Sequence, residues 1–169
     1  MKVLIAVEDA TFGEALADFV VKHQWPPSTD FKVVHVLEPI GIEHLSDVSY
    51  LPFLEDVSRE AEKVSAALIR HVGLKIRDAF KTTHVEEEVV KGKAREKLLE
   101  IAESWPADLV IVGSHGRSGV NRFLLGSVSD AVVSHAPCSV IVIRIPAAKV
   151  EESEKEQPSS KPAQMVLRT

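Results

Sequence analysis

The sequence predicts an α/β protein built on a five-stranded parallel, doubly wound sheet with helices on both faces. Three observations carry that expectation. Five short runs rich in Val, Leu and Ile alternate with segments of helical periodicity. The opening run shows little of the in-out alternation of a strand with one wet face, as befits a strand covered on both sides. A glycine-rich stretch falls between an apolar run and a helical one, at the strand end where doubly wound sheets hold their ligands.

The first strand is read over residues 2–8, where Glu8-Asp9 interrupt the apolar run too early for a secretory signal. Thr11 is expected to cap the next helix, with Glu14 completing a capping box. Phe12, Leu16, Phe19, Val20 and His23 form the inward stripe of that helix, and Pro26-Pro27 stop it. Residues 31–37 give the second strand. Residues 38–52 have no clean period and read either as a lid or binding loop or as a plain surface loop, with His44 and Tyr50 as surface residues.

Residues 53–79 read as a long helix with Leu54, Val57, Ala61, Val64, Leu68 and Val72 on one face, and Gly73 marks a bend or an early end. The third strand covers residues 83–90. Its run Glu86-Glu87-Glu88 points to alternate faces, so it reads as a solvated edge rather than a metal site. Residues 94–105 form the third helix, with Leu98, Ile101 and Ala102 inward. Lys93 and Arg95 fall in its first turn against the helix dipole, tolerated through solvent exposure or a nearby anion. A fourth strand (109–112), a fourth helix (128–133) and a fifth strand (138–145) complete the domain, residues 1–146. Residues 147–169 have almost nothing to bury and read as a flexible charged tail.

A chain of 169 residues suits one domain. No apolar run reaches the roughly 20 residues of a membrane span, so no membrane partner is expected. A net charge of -5 argues against nucleic acid as the main partner. The single cysteine excludes an internal disulfide, and Cys138, beside an apolar strand, reads as a small buried hydrophobe. A cytoplasmic location fits these features.

The chemistry gathers at Val112-Gly113-Ser114-His115-Gly116-Arg117-Ser118-Gly119, closed by Gly126-Ser127-Val128-Ser129. Glycines let backbone N–H groups approach an anionic group, and a helix start adds partial positive charge. Ser127 has a second possible task, a capping box with Asp130. His115 reads as loop structure, because no carboxylate or nucleophile adjoins it. The chain has no G-x-x-x-x-G-K-[ST], which excludes a P-loop, and no G-x-G-x-x-G after its first strand, which argues against a dinucleotide-binding domain. After the third strand it carries Lys91-Gly92-Lys93, where a phosphoacceptor receiver would need an aspartate.

The spacing Gly113, two residues, Gly116, nine residues, Gly126-Ser127 resembles the G-x2-G-x9-G-[S/T] signature of the ATP-binding branch of the universal stress protein family. The resemblance spans residues 1–145. It implies ATP as ligand, with Mg²⁺ or Mn²⁺ carried on the phosphates and no metal ligand or catalytic residue of the protein's own. By this resemblance Val112, Gly113, Gly116, Gly126, Ser127 and Val128 hold the phosphates, while Val7, Glu8 and Val36 enclose adenine and ribose. Arg117, between the glycines, either sets a cation beside the phosphates or stands as a solvated loop residue. The family usually places aspartate directly after the first strand, and here Glu8 stands there, followed by Asp9-Ala10.

The resemblance also implies a homodimer joined through the last strand, residues 139–145, whose exposed apolar edge invites pairing. The leading functional expectation is an ATP-binding sensor or regulator in a stress response. The alternatives are a slow ATP hydrolase or phosphotransferase of the same fold, and a nucleotide-free interaction module.

Overall fold

Strands β1 (Lys2–Ala6), β2 (Asp30–Leu37), β3 (Val85–Lys91), β4 (Leu109–Gly113) and β5 (Ser139–Ile143) form one parallel sheet in the order β3-β2-β1-β4-β5. The helices are α1 (Ala10–Lys22), α2 (Leu51–Ala79), α3 (Ala94–Ser104) and α4 (Ser127–His135). This computed structural model describes residues 1–39, 51–81, 83–114 and 125–144. The expectations for His44, Tyr50, His115, Gly116, Arg117, Ser118, Gly119 and the tail lie outside the described residues. Among the described residues, no helix is long and apolar enough to cross a membrane.

The period-two geometry of a strand splits the sheet's side chains between two cores. Val3 and Ile5 of β1 join Leu16 and Val20 of α1 and Ile69, Val72 and Ile76 of α2 on one face. Leu4, between them, joins Leu98 and Ile101 of α3 and Val132 of α4 on the other. Both faces are therefore covered, which is why β1 and β4 read as unbroken apolar runs. The chain winds outward from β1 to β3, returns to β4 beside β1, and ends on β5. The switch in strand order therefore falls between β1 and β4.

Several local readings are corrected. Asp9, not Thr11, caps α1: its carboxylate accepts the Phe12 N–H at 2.9 Å. Glu14 reaches away from the helix start to Lys75 and, at 3.2 Å, to His71 on α2. The box between Ser127 and Asp130 does not form, because Gly126 is the N-cap of α4 and Ser127 already lies inside the helix. His23 is not in the core; it is exposed and ends α1. Val64 is 63% exposed. The inward face of α2 is set by Ser65, Ile69, Val72 and Ile76, and Val64 sits one residue off that line, about 100° around the helix.

Helix α2 begins at Leu51, with Pro52 in its first turn, and runs without a break through Gly73. A β-carbon at Gly73 would collide with the Glu87 side chain, which reaches across from β3 to pair with Arg77. The glycine thus lets α2 ride close over β3. The acidic run of β3 alternates as expected. Glu86 and Glu88 pair with Lys32 at 2.7 and 3.3 Å, while Glu87 turns to the α2 side. Burial works against the Lys32 charge, but the hydrogen bonds to Glu86 and Glu88 outweigh it and raise the lysine's pKa. The edge at β3 is thereby charged, whereas β5 at the other edge offers only Ser, Val and Ile.

Candidate functional site

At the carboxyl ends of β1, β2 and β4 the sheet opens into a cleft of about 590 Å³, closed on one side by the starts of α3 and α4. Eight of the ten sequence-predicted site residues line it: Val7, Glu8, Val36, Val112, Gly113, Gly126, Ser127 and Val128. The other two, Gly116 and Arg117, lie outside the described residues. The register explains the convergence. Ile5 sits opposite both Val33 and Ile111, so β4 ends one residue past β1 at the cleft while β2 runs three residues further to Leu37 and forms its wall.

The α4 end of the cleft is the electropositive one. The first N–H groups of a helix have no partner within it, and the Gly126 cap supplies no side chain to meet them. The N–H of Gly126 itself donates to the Ser114 carbonyl at 2.8 Å, so it is committed to the fold. Ser129, buried in the first turn of α4, stands 3.0 Å from the Gly126 carbonyl and 3.2 Å from the Ser114 carbonyl and donates its hydroxyl hydrogen to that pair. These bonds fasten the exit of β4 to the entrance of α4.

The α3 end differs. Lys93 is its N-cap rather than a first-turn residue and gives no capping side-chain bond. The Ala94 N–H instead donates to the Glu38 carboxylate at 3.0 Å. The anion beside this helix start is therefore the chain's own, delivered from the end of β2. Next to it Gly92, at φ +144, takes a conformation that favours glycine and donates its N–H to the Leu37 carbonyl at 3.1 Å.

Sequence reasoning missed three lining residues that shape the site: Phe12, His35 and Glu38. Phe12 is buried, and its ring occupies the space that a β-carbon on Gly113 would need. His35 Nδ1 lies 2.9 Å from the Val7 carbonyl. A carbonyl only accepts, so Nδ1 carries the proton and Nε2 of the neutral ring is an acceptor. His35 had been absorbed into an apolar strand pattern, and only its place near the strand's end signalled the cleft. Among the described residues, the ionisable side chains of the lining are Glu8, Glu38 and His35. Backbone N–H groups at the start of α4 are the donors that these described residues offer to an anion.

Cys138 lies outside the cleft lining, half-buried against the α3–α4 core. Burial, assisted by the charge of Asp108, pushes its thiol pKa up and keeps it protonated, which suits a packing residue.

Fold and cleft together define a doubly wound α/β protein with its cleft at the switch in strand order. The model of the universal stress protein family matches residues 1–144. The chain belongs to that family. It is 49% identical to universal stress protein A homolog 2 of Coxiella burnetii over 61 residues, 36% of this chain and 41% of that protein. It thus spans less than half the length of that relative. Two solved structures share the fold. The hypothetical protein MJ0577 superposes with a TM-score of 0.72 at 21% identity, covering 86% of this chain and 96% of the other. A universal stress protein family protein from Arabidopsis thaliana, At3g01520 with AMP bound, gives 0.62 at 17% identity, covering 95% and 97%.

Proposed function

We propose that this protein binds an adenine nucleotide, ATP bearing Mg²⁺ or Mn²⁺ on its phosphates, and acts in the cytoplasm as a sensor or regulator in a stress response. One observation carries the reading: the flanks of the glycine signature, Gly113 and Gly126 to Val128, meet Val7, Glu8 and Val36 in a single cleft. Phosphates would rest on the N–H groups of Ser127 and Val128 at the α4 start. Gly126, whose own N–H is committed, would let the ligand come close. The two lining carboxylates make a divalent cation on the phosphates an expected part of the ligand. The AMP bound to the Arabidopsis relative supports an adenine ligand.

In this reading the protein binds rather than turns over its nucleotide, and two copies join through the open edge of β5. Acid extraction of the purified protein, followed by chromatography, should release an adenine nucleotide. Calorimetric titration with ATP and Mg²⁺ should show binding that Gly126→Val weakens at least tenfold, about 1.4 kcal/mol. No extracted nucleotide together with no heat of titration would overturn the proposal.

A further inference from the structure

The outward face of α2 carries apolar side chains that nothing among the described residues covers. Phe53 is 66% exposed, Val64 63% and Leu74 49%, and Ala67 between them is also exposed. With Glu60 and His71 these residues recur at intervals of three, four and seven, so they share one stripe, opposite the face that α2 packs on β2, β3 and α1. Single exposed apolar residues are ordinary, but here they share one line of a 29-residue helix, interrupted by Glu60 and His71.

The charges of α2 indicate what fits that patch. Its first half, residues 51–64, holds Glu55, Asp56, Glu60 and Glu62 against Arg59 and Lys63. Its second half holds Arg70, Lys75 and Arg77 against the single anion Asp78. Lys75, Arg77 and Glu62 are engaged with α1 or β3, and His71 also meets Glu14 of α1 at 3.2 Å while its side chain stays exposed. The outward stripe and its margins keep Asp56 and Glu60 near one end and Arg70 and His71 near the other. This asymmetry suits the helix dipole, which acts on the first and last turns; it does not explain the apolar residues between them. Parallel pairing with another α2 would set like charges together, whereas antiparallel pairing sets each acidic half on a basic half.

We propose that α2 is a self-complementary interface that pairs antiparallel with α2 of a second copy of this chain across a twofold axis near Val64. Phe53 of each copy then lies toward the Leu74 end of the other, and the acidic Asp56–Glu60 segment lies beside Arg70 and His71. The exposed pairs within one helix, Glu60 with Lys63 at 3.1 Å and Asp56 with Arg59 at 3.5 Å, are weak enough to exchange partners. Because α2 covers β2 and β3, at the opposite end of the sheet from β5, the two edges act independently. The proposal does not depend on the nucleotide.

Sedimentation of the full chain and cysteine cross-linking test it. Phe53→Lys with Leu74→Lys should raise the dissociation constant of one association step at least tenfold, while the melting temperature of the dilute, dissociated protein stays unchanged because both sites are exposed in a single copy. In a Cys138→Ala background, Val64→Cys should cross-link two copies efficiently with a short bismaleimide. Phe53→Cys should not, because antiparallel helices hold these residues at opposite ends. A wild type that sediments as a single copy at high concentration, or a Lys double variant with unchanged association, overturns the proposal. Equal cross-linking at positions 53 and 64 also does so, since it marks a parallel arrangement.

Discussion

The ring of Phe12 lies where a β-carbon on Gly113 would stand, 101 residues along the chain from it. Asp9 fixes that ring from behind by accepting the Phe12 N–H at the first turn of α1. The first glycine of the signature thus has a packing role in addition to any role toward a ligand. Gly113→Ala is expected to overfill the site and destabilise the protein by about 1–3 kcal/mol. Phe12→Leu, itself destabilising, should recover part of that loss when combined with it. Urea denaturation of the wild type, both single variants and the double variant decides the matter as a thermodynamic cycle. Strictly additive losses would show that ring and glycine do not compete for space.

Glu38 holds the start of α3 to the end of β2 across 56 residues of sequence. Glu38→Ala should remove both the acceptor and the negative charge that this helix end favours, costing about 1 kcal/mol. Glu38→Gln keeps an acceptor and should lose less. The readout is the urea midpoint at unchanged slope. Equal losses in the two variants would leave the hydrogen bond without a part in stability.

Ser127 offers a clean probe of the α4 start, because proline is well accepted as the first residue of a helix. The extended backbone of Gly126, at ψ 155, also suits a residue preceding proline. Ser127→Pro removes one N–H from the cleft and keeps the helix, while Ser127→Ala removes only the hydroxyl. ATP affinity should fall at least tenfold, about 1.4 kcal/mol, in the proline variant and change little in the alanine variant. Equal affinities, measured by calorimetry in proteins of unchanged circular dichroism, would take the phosphates away from this N–H.

Acid stability should depend on the network between α1 and α2. The Lys75 hydrogen bond holds the Glu14 carboxyl below its usual pKa against the opposing effect of burial, with His71 assisting. Lys75 lowers Asp18 in the same way. Carboxylates with lowered folded-state pKa values contribute stability that is present above their unfolded values, about 3.9–4.3, and is lost as pH falls through the folded ones. Both groups are well exposed, so the contribution is that of surface pairs, about 1 kcal/mol or less. Lys75→Met should flatten the fall in stability below about pH 4. Melting curves taken from pH 6 to 2.5 that remain parallel in the two proteins would contradict this.

What the sequence shows best is what depends on neighbours in the chain. The apolar runs of β1 and β4 and the helical stripes locate every element to within a few residues, and their alternation forces a parallel sheet. Thr11 with Glu14 satisfies the capping pattern as well as Asp9 does, and only Lys75, 61 residues away, reveals that Glu14 is occupied elsewhere. Val64 fits the periodic list of α2 as well as its buried neighbours do; the rotation that exposes it is set by how the helix seats on β2 and β3. In the cleft, the residues matched by a local signature were found. Those brought there by long-range contact were not: Phe12 against Gly113, Glu38 against Ala94 and His35 against Val7.

The clasp of Ser114, Gly126 and Ser129 closes the chain between the exit of β4 and the entrance of α4. Gly126 and Ser129 both bind the Ser114 carbonyl, so the two ends of that stretch are joined by the fold itself. Once the ends are fixed, doubling the length between them costs only about 0.6 kcal/mol in closure entropy. The closure entropy at this position is therefore offset by the scaffold's own bonds to one carbonyl, that of Ser114.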